Sequence, residues 1–186
     1  MIRTASSLMK SLVITLIILI SSTMQSLADD IATERINGTI VRVKDGDTVV
    51  IRHDTGTQTI RLEGIDCPEH DQTPWGPLVT QLLQEWIQGQ PIEIEWDVQR
   101  EDRYQRGLGY LFSQDRFINE ELVSRGLCYT MTVPPNVHYR DRLRMALRDA
   151  QQHRRGLWDP SAEPVTPPAC HRRPSGSRLC QQERAE

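Results

Sequence analysis

The sequence predicts an α+β domain: a small five-stranded Greek-key β-barrel with about three packed helices. Three observations lead there. Short segments with period-two alternation flank a stripe with the helical period. Glycine- and aspartate-bearing turns punctuate those segments. The whole pattern fits in ~120 residues, the size of one hydrophobic core.

The amino terminus stands outside that pattern. Arg3 and Lys10 are the only charges before Asp29, and an apolar run, Leu12 to Ile20, follows them. Ser26-Leu27-Ala28 then places small residues as a signal peptidase requires. Residues 1–28 read as a secretory signal peptide cleaved after Ala28. The alternative is an uncleaved anchor, but the apolar run is far short of the ~20 residues that span a bilayer. Removal takes away two basic residues and no acidic ones, so the formal net charge moves from −3 to −5. The product is expected to be secreted or periplasmic, without stable membrane association, and monomeric.

Composition narrows the function. A quarter of the residues are charged, with both signs mixed, and 38% are hydrophobic, which argues against wholesale disorder. A net negative chain does not coat nucleic acid by charge alone. Lys44 is the one lysine beyond the leader; the other basic residues there are arginines, the better partners for bidentate phosphate contacts.

After a polar lead-in at 29–36, strands are expected near 38–43, 48–53 and 58–64, the last two joined by the turn Asp54-Thr55-Gly56-Thr57. Val79, Leu82, Leu83, Trp86 and Ile87 form one helical stripe across 76–88, stopped by Gly89. Ile92, Ile94 and Trp96 alternate with Glu93, Glu95 and Asp97 as a half-buried strand. Residues 107–112 make another strand. Ile118, Leu122 and Val123 mark a short helix, with 119–121 in its first turn. Leu143, Ala146, Leu147 and Ala150 mark a longer one whose other face carries Arg142, Arg144 and Arg148. Gly156-Leu157-Trp158 closes a domain spanning 37–159, and the Pro- and Arg-rich stretch 160–186 reads as an extended tail.

The chemistry gathers between Val43 and Glu69. Asp45-Gly46-Asp47-Thr48 alone is equally a solvated β-turn, and Asp66 and Glu69 around Pro68 are equally a polar turn. Together, two strand-end turns offer hard oxygen ligands, and Asp47 with Asp66 could close on a Ca²⁺-sized ion. Arg61 precedes the second turn, and Arg106 follows in Asp102-Arg103-Tyr104-Gln105-Arg106-Gly107. Phosphodiester hydrolysis needs such a set: guanidinium groups and a metal neutralise the building charge, and a carboxylate orients or deprotonates water. No Ser/His/Asp order or Cys/His pair competes. His53, His70, His138, His153 and His171 lack ligand spacing and read as surface residues.

The cysteines Cys67, Cys128, Cys170 and Cys180 all follow the leader. An even count in an oxidising compartment favours disulfides, and the absence of C-x-x-C argues against zinc. Three pairings are open from sequence alone; Cys170 with Cys180 would close a small loop in the tail.

The stretch from Val43 to Trp158 resembles the staphylococcal nuclease (thermonuclease) family. The resemblance rests on Asp45 to Thr48, Arg61 to Glu69, Asp102 to Gly107, Asn119-Glu120-Glu121-Leu122-Val123-Ser124-Arg125-Gly126-Leu127, and Gly156-Leu157-Trp158, in this order and spacing. It implies an OB-fold barrel with three helices and Ca²⁺-dependent hydrolysis of DNA and RNA to 3′-phosphorylated products. It further implies Asp47 and Asp66 as Ca²⁺ carboxylates. Cys67 stands where a threonine carbonyl commonly ligates the ion, and Asp45 beside the metal's water shell. Glu69 matches the proposed general base, Arg61 and Arg106 the phosphate-binding arginines, and Tyr104 a tyrosine near the phosphate.

The family fold would also bring the strand ending near Asp66 beside the segment after Gly126-Leu127. That implies a Cys67–Cys128 disulfide, the alternative being two buried thiols, and leaves Cys170 with Cys180. Two departures bear on substrate preference. Tyr129 alone stands near the position of the type member's two base-contacting tyrosines, and the loop at 70–75 is shorter. The competing class is a catalytically weak nuclease-like module that binds nucleic acid or protein; the presence of Asp47, Asp66, Glu69, Arg61 and Arg106 argues against it. A structural OB-fold binding peptides or sugars leaves the paired arginines unexplained.

Overall fold

A computed structural model describes residues 34–172, which fall in one compact unit. The expected signal peptide, residues 29–33 of the lead-in, and Cys180 lie outside the described residues.

The barrel is built from β1 (Arg35–Asp45), β2 (Thr48–His53), β3 (Gly56–Leu62), β5 (Pro91–Glu101) and β6 (Gly107–Ser113). Its order is β3-β2-β1-β5-β6, and a parallel β3–β6 pairing closes it, with Arg61 opposite Leu108. Closure removes the exposed strand edges that an open sheet would carry. The inward rows follow from alternation. Ile40 faces Ile51, Val43 faces Val49 and Ile36 faces Ile94 across the ladders. Ile40, Val49, Ile51, Ile60, Leu62 and Ile94 are all buried.

A short second sheet pairs β4 (Ile65–Asp66) with β8 (Tyr129–Thr130), placing Asp66 opposite Tyr129. β7 (Arg116–Phe117) extends the barrel beyond β6. Helix α1 (Trp75–Ile87) follows the expected stripe. Val79, Leu83 and Ile87 are buried, whereas Leu82 and Trp86 pack at the rim. Trp86 is covered there by the guanidinium groups of Arg125 and Arg116, 4.7 and 5.4 Å from its ring. Helices α2 (Ile118–Ser124) and α3 (Arg140–Gln152) pack together, and a 3₁₀ turn, Gly156–Trp158, follows them.

The structure refines three expectations. β1 begins at Arg35, inside the expected lead-in, because Arg35 pairs with Glu95 and its guanidinium meets Glu93 and Glu95. β5 runs past Trp96 to Glu101, where pairing resumes opposite Gly107 after a break in register. Val98 is exposed there, so the extension carries no hydrophobic signal.

The third concerns the tail. Residues 160–172 are not simply extended: Ala162 and Val165 pack on the core, Pro168 is buried, and a last turn of helix, α4 (Pro168–His171), forms. Among the described residues no helix is long and apolar enough to cross a membrane.

Buried Asn119 ties the barrel to the site. Its Nδ2 donates to the Glu63 carbonyl at 2.8 Å, and its Oδ1 accepts the Leu111 amide at 2.9 Å. The turn from β3 to β4 is thereby fastened to β6.

Candidate active site

The β1–β2 turn and the β3–β4 turn meet at one end of the barrel, brought together by the β2–β3 ladder, which sets Thr48 opposite Arg61. Gly46 makes the approach possible. A Cβ there would fall 2.7 Å from both Cys67 Cβ and Val79 Cγ1. The Asp47 carbonyl accepts the Leu62 amide at 2.7 Å, which fixes the first turn to the end of β3.

Arg61 lies between the two expected metal ligands. Its guanidinium reaches Asp47 Oδ2 at 3.0 Å and Asp66 Oδ1 at 3.2 Å, and Nη1 also donates to the Leu62 carbonyl at 3.0 Å. All three side chains are buried: Asp47 is 6% exposed, Asp66 3% and Arg61 7%. Asp47 is held further by the Thr48 hydroxyl on Oδ1 at 3.1 Å and the Cys67 amide on Oδ2 at 3.0 Å. The Asp47 amide in turn donates to Asp45 Oδ1 at 3.1 Å.

Glu69 sits on the loop before α1. Its amide donates to Gln72 Oε1 at 2.9 Å, and its carbonyl packs against Gly76, where a Cβ would approach to 1.8 Å. Only glycine at 76 lets the loop lie this close to the helix.

Arg106 enters from the far side. Asp102 accepts its Nε at 2.8 Å and its amide at 3.0 Å, as well as the Tyr104 amide at 2.8 Å. Bonds from Arg106 and Tyr104 outweigh the burial of Asp102 and lower its pKa. Tyr104 is 63% exposed; its hydroxyl accepts from Arg103 Nη2 at 2.6 Å, and the Arg106 guanidinium lies 5.6 Å from its ring.

These groups line an open cleft of about 340 Å³ that includes Asp45, Asp47, Arg61, Glu69, Tyr104 and Arg106. Asp66 lies behind Arg61 rather than on the cleft's lining. Cys67 is likewise outside the lining, buried and disulfide-bonded to Cys128 with Cα atoms 4.3 Å apart. Cys170 is also disulfide-bonded, and its expected partner, Cys180, lies outside the described residues.

Sequence reasoning missed two contributors. Gln72 braces Glu69, and Arg172 enters the cleft from the tail, pairing with Asp66 Oδ1 at 2.7 Å and with Glu69. Neither carries a spacing signal, and Arg172 stands in a stretch already rich in arginine. Asp102 had a signal, because an aspartate opening a turn commonly accepts the backbone amide two residues on, here that of Tyr104.

Burial dominates the electrostatics of Asp45 and Asp66. Burial pushes the Asp66 carboxyl up despite the pull of Arg172 and Arg61. Burial and the neighbouring Asp47 charge raise Asp45 to about 6. Among the described residues no group of three His, Cys, Asp or Glu side chains converges to hold an ion unaided. The donor set still fits a hard cation: the neighbouring carboxylates of Asp47 and Asp66 share one guanidinium beside a cleft with room for water and phosphate oxygens. Such a cation would be completed by ligands from outside the side chains.

Comparison with known proteins finds relatives of this chain. The staphylococcal nuclease homologue family model matches residues 59–160, a stretch that contains Arg61, Asp66, Glu69 and Arg106 but begins after Asp47. A thermonuclease of Staphylococcus hyicus is 31% identical over 124 residues, covering 64% of this chain and 73% of the relative. A thermonuclease of Staphylococcus intermedius is 30% identical over 125 residues, covering 64% and 74%. An uncharacterized endonuclease of Escherichia coli O157:H7 is 33% identical over 133 residues, covering 71% and 82%.

Proposed function

The chain belongs to the staphylococcal nuclease family and is a nuclease; from that premise we propose that it is a secreted, Ca²⁺-dependent phosphodiesterase acting on DNA, RNA or both. The observation that carries this reading is the Arg61 guanidinium between Asp47 and Asp66, at the base of a cleft that Glu69 and Arg106 also line.

In this reading Asp47, Asp66 and the backbone carbonyl of Cys67 would hold the cation, with Asp45 beside them on the same turn as Asp47. The bound ion supplies charge neutralisation at a phosphate oxygen. The chain's own residues do the rest. Glu69 takes a proton from the attacking water or holds that water in line. Arg106, already aimed by Asp102, offers its outer nitrogens to the phosphate. Arg61, held in place by Asp47, Asp66 and the Leu62 carbonyl, offers its remaining N–H groups to the equatorial oxygens as their charge grows, which is transition-state stabilisation by preset donors. Tyr104 lies at the rim, where a nucleotide can pack on its ring. Cleavage at the 5′ P–O bond leaves a 3′-phosphorylated product.

Secretion is supported by the leader-like amino terminus and by the Cys67–Cys128 disulfide, a bond that persists in oxidising compartments.

The test is direct. Purified protein is incubated with DNA and with RNA, in Ca²⁺ and in chelator, and the product ends are analysed. Ca²⁺-dependent cleavage with 3′-phosphate ends is expected. Cleavage unchanged by chelator, or no cleavage of either polymer, contradicts the reading.

A further inference from the structure

The arm after the 3₁₀ turn is fastened to the loop that carries Glu69. Trp75 Nε1 donates to the Glu163 carbonyl at 2.9 Å, and Gln72 Nε2 donates to the Thr166 carbonyl at 2.7 Å. The same Gln72 accepts the Glu69 amide through Oε1, so one buried side chain braces both the candidate base and the arm. Val165 and Pro168 pack inward, and His171 Nε2 lies 3.1 Å from Asp71 on the loop. These contacts aim the end of α4 at the cleft.

Arg172 follows immediately. Its Nη2 donates to Asp66 Oδ1 at 2.7 Å and its Nη1 to Glu69 Oε1. One guanidinium therefore joins a carboxylate expected to bind the cation to the carboxylate expected to activate water. Asp66 is nearly buried, with 4% of its side chain exposed, whereas the Arg172 side chain keeps 40% exposed. The pair is reached from solvent through Arg172, which also lines the cleft.

We propose that the segment 160–172 is an autoinhibitory latch whose Arg172 occupies the Asp66–Glu69 carboxylates, so that divalent cation binding and latch docking compete. This rests on the nuclease reading above and adds its regulation. Charge explains the competition. The guanidinium supplies the positive charge that the ion would otherwise bring, and its two hydrogen bonds, one to each carboxylate, are of the strong, charge-assisted kind. It also takes one oxygen of each carboxylate, Asp66 Oδ1 and Glu69 Oε1. Cation affinity is then reduced by the fraction of molecules with the latch open. High cation concentrations favour the open form because the cation binds it alone. With the latch closed, the cleft offers Arg61 and Arg106 to a phosphate but no available base.

The test is calorimetric titration of the full chain with Ca²⁺, with and without a nucleoside 3′,5′-bisphosphate as a phosphate probe. Wild type is compared with Arg172→Ala and Arg172→Gln. Hydrolysis across a Ca²⁺ series is measured in parallel, and thermal unfolding confirms that each variant is folded. Both variants should bind Ca²⁺ about tenfold more tightly, as for a latch closed in about nine molecules of ten. Their activity should exceed wild type at limiting Ca²⁺ and converge with it at saturation. Equal Ca²⁺ affinity in wild type and variants, with all of them active, overturns the latch and leaves the nuclease reading intact. Activity in the variants below wild type at every Ca²⁺ concentration also overturns it, since Arg172 would then serve substrate. No Ca²⁺ binding by any protein, with or without the bisphosphate, overturns the latch and the metal reading together.

Discussion

The backbone amide of Cys67 donates to Asp47 Oδ2 at 3.0 Å, so the residue that anchors the Cys67–Cys128 disulfide also orients a candidate metal ligand twenty positions earlier. Covalent structure and site geometry meet at one peptide unit. Cys67 is buried against Gly46, and its neighbour Asp66 faces Tyr129 in the small β4–β8 sheet. The bond fastens this sheet across a sequence separation of 61.

Breaking that bond should therefore act twice. Cys67→Ala/Cys128→Ala should lose about 4 kcal/mol of folding stability by the chain-entropy model. It should also need more Ca²⁺ for half-maximal activity, because the Asp47 turn loses its brace. Denaturant unfolding and a Ca²⁺ activation curve measure the two effects. Unchanged values in both would contradict this role.

Arg61→Lys should fail despite keeping the charge. An ammonium cannot reach Asp47, Asp66 and a phosphate with a planar fork. The expected loss is ~3–4 kcal/mol of transition-state stabilisation, typical of one preset donor, or roughly 10²- to 10³-fold in kcat/KM. Steady-state kinetics on a defined oligonucleotide checks this; a change below threefold contradicts it.

Gly76→Ala should reproduce the effect of Glu69→Gln without touching a charge. The added Cβ would fall 1.8 Å from the Glu69 carbonyl, so the loop must move and carry Glu69 with it. Both variants should lower kcat more than they change KM. Full activity in Gly76→Ala would mean that the position of Glu69 does not limit the reaction.

Glu63 gives a pH signature. Burial raises its carboxyl from 4.5 to about 7, against the pull of Arg61. Below pH 4.5 the folded and unfolded chains both keep the proton. Between 4.5 and about 7 the unfolded chain releases it first, so this group's contribution to folding stability falls as pH rises through that window. Glu63→Gln should be no more stable than wild type near pH 4.5 and progressively more stable toward pH 7, by at most ~3 kcal/mol. Melting temperatures across that range test it; a gap that shrinks with pH contradicts it.

Much of this was legible in the sequence because the signals were local. Ile92, Ile94 and Trp96 alternate, Val79, Leu83 and Ile87 recur at helical spacing, and each landed in the expected element. The turns at 45–48 and 63–69 carried the carboxylates, and the ladder that sets Thr48 opposite Arg61 brought them together. What stayed hidden was long-range and polar. Asn119 is an ordinary helix residue until its amide is seen spanning Glu63 and Leu111. The β4–β8 pairing involves two residues on each side, too few for a periodicity, and is expected only through the family resemblance. Arg172 is 106 positions from the Asp66 it contacts, and composition marked its segment only as a polar tail.

The central claim is that Asp47 and Asp66 form a cation site on which hydrolysis depends. The most direct measurement is the rate of DNA cleavage against Ca²⁺ concentration for wild type, Asp47→Ala and Asp66→Ala, with chelator as baseline. Two carboxylates give modest affinity that substrate phosphate should strengthen. Wild type should therefore activate with Ca²⁺, more readily as substrate rises, while both variants stay near the chelator baseline. Full activity in either variant, or wild-type cleavage unaffected by chelator, would contradict the account.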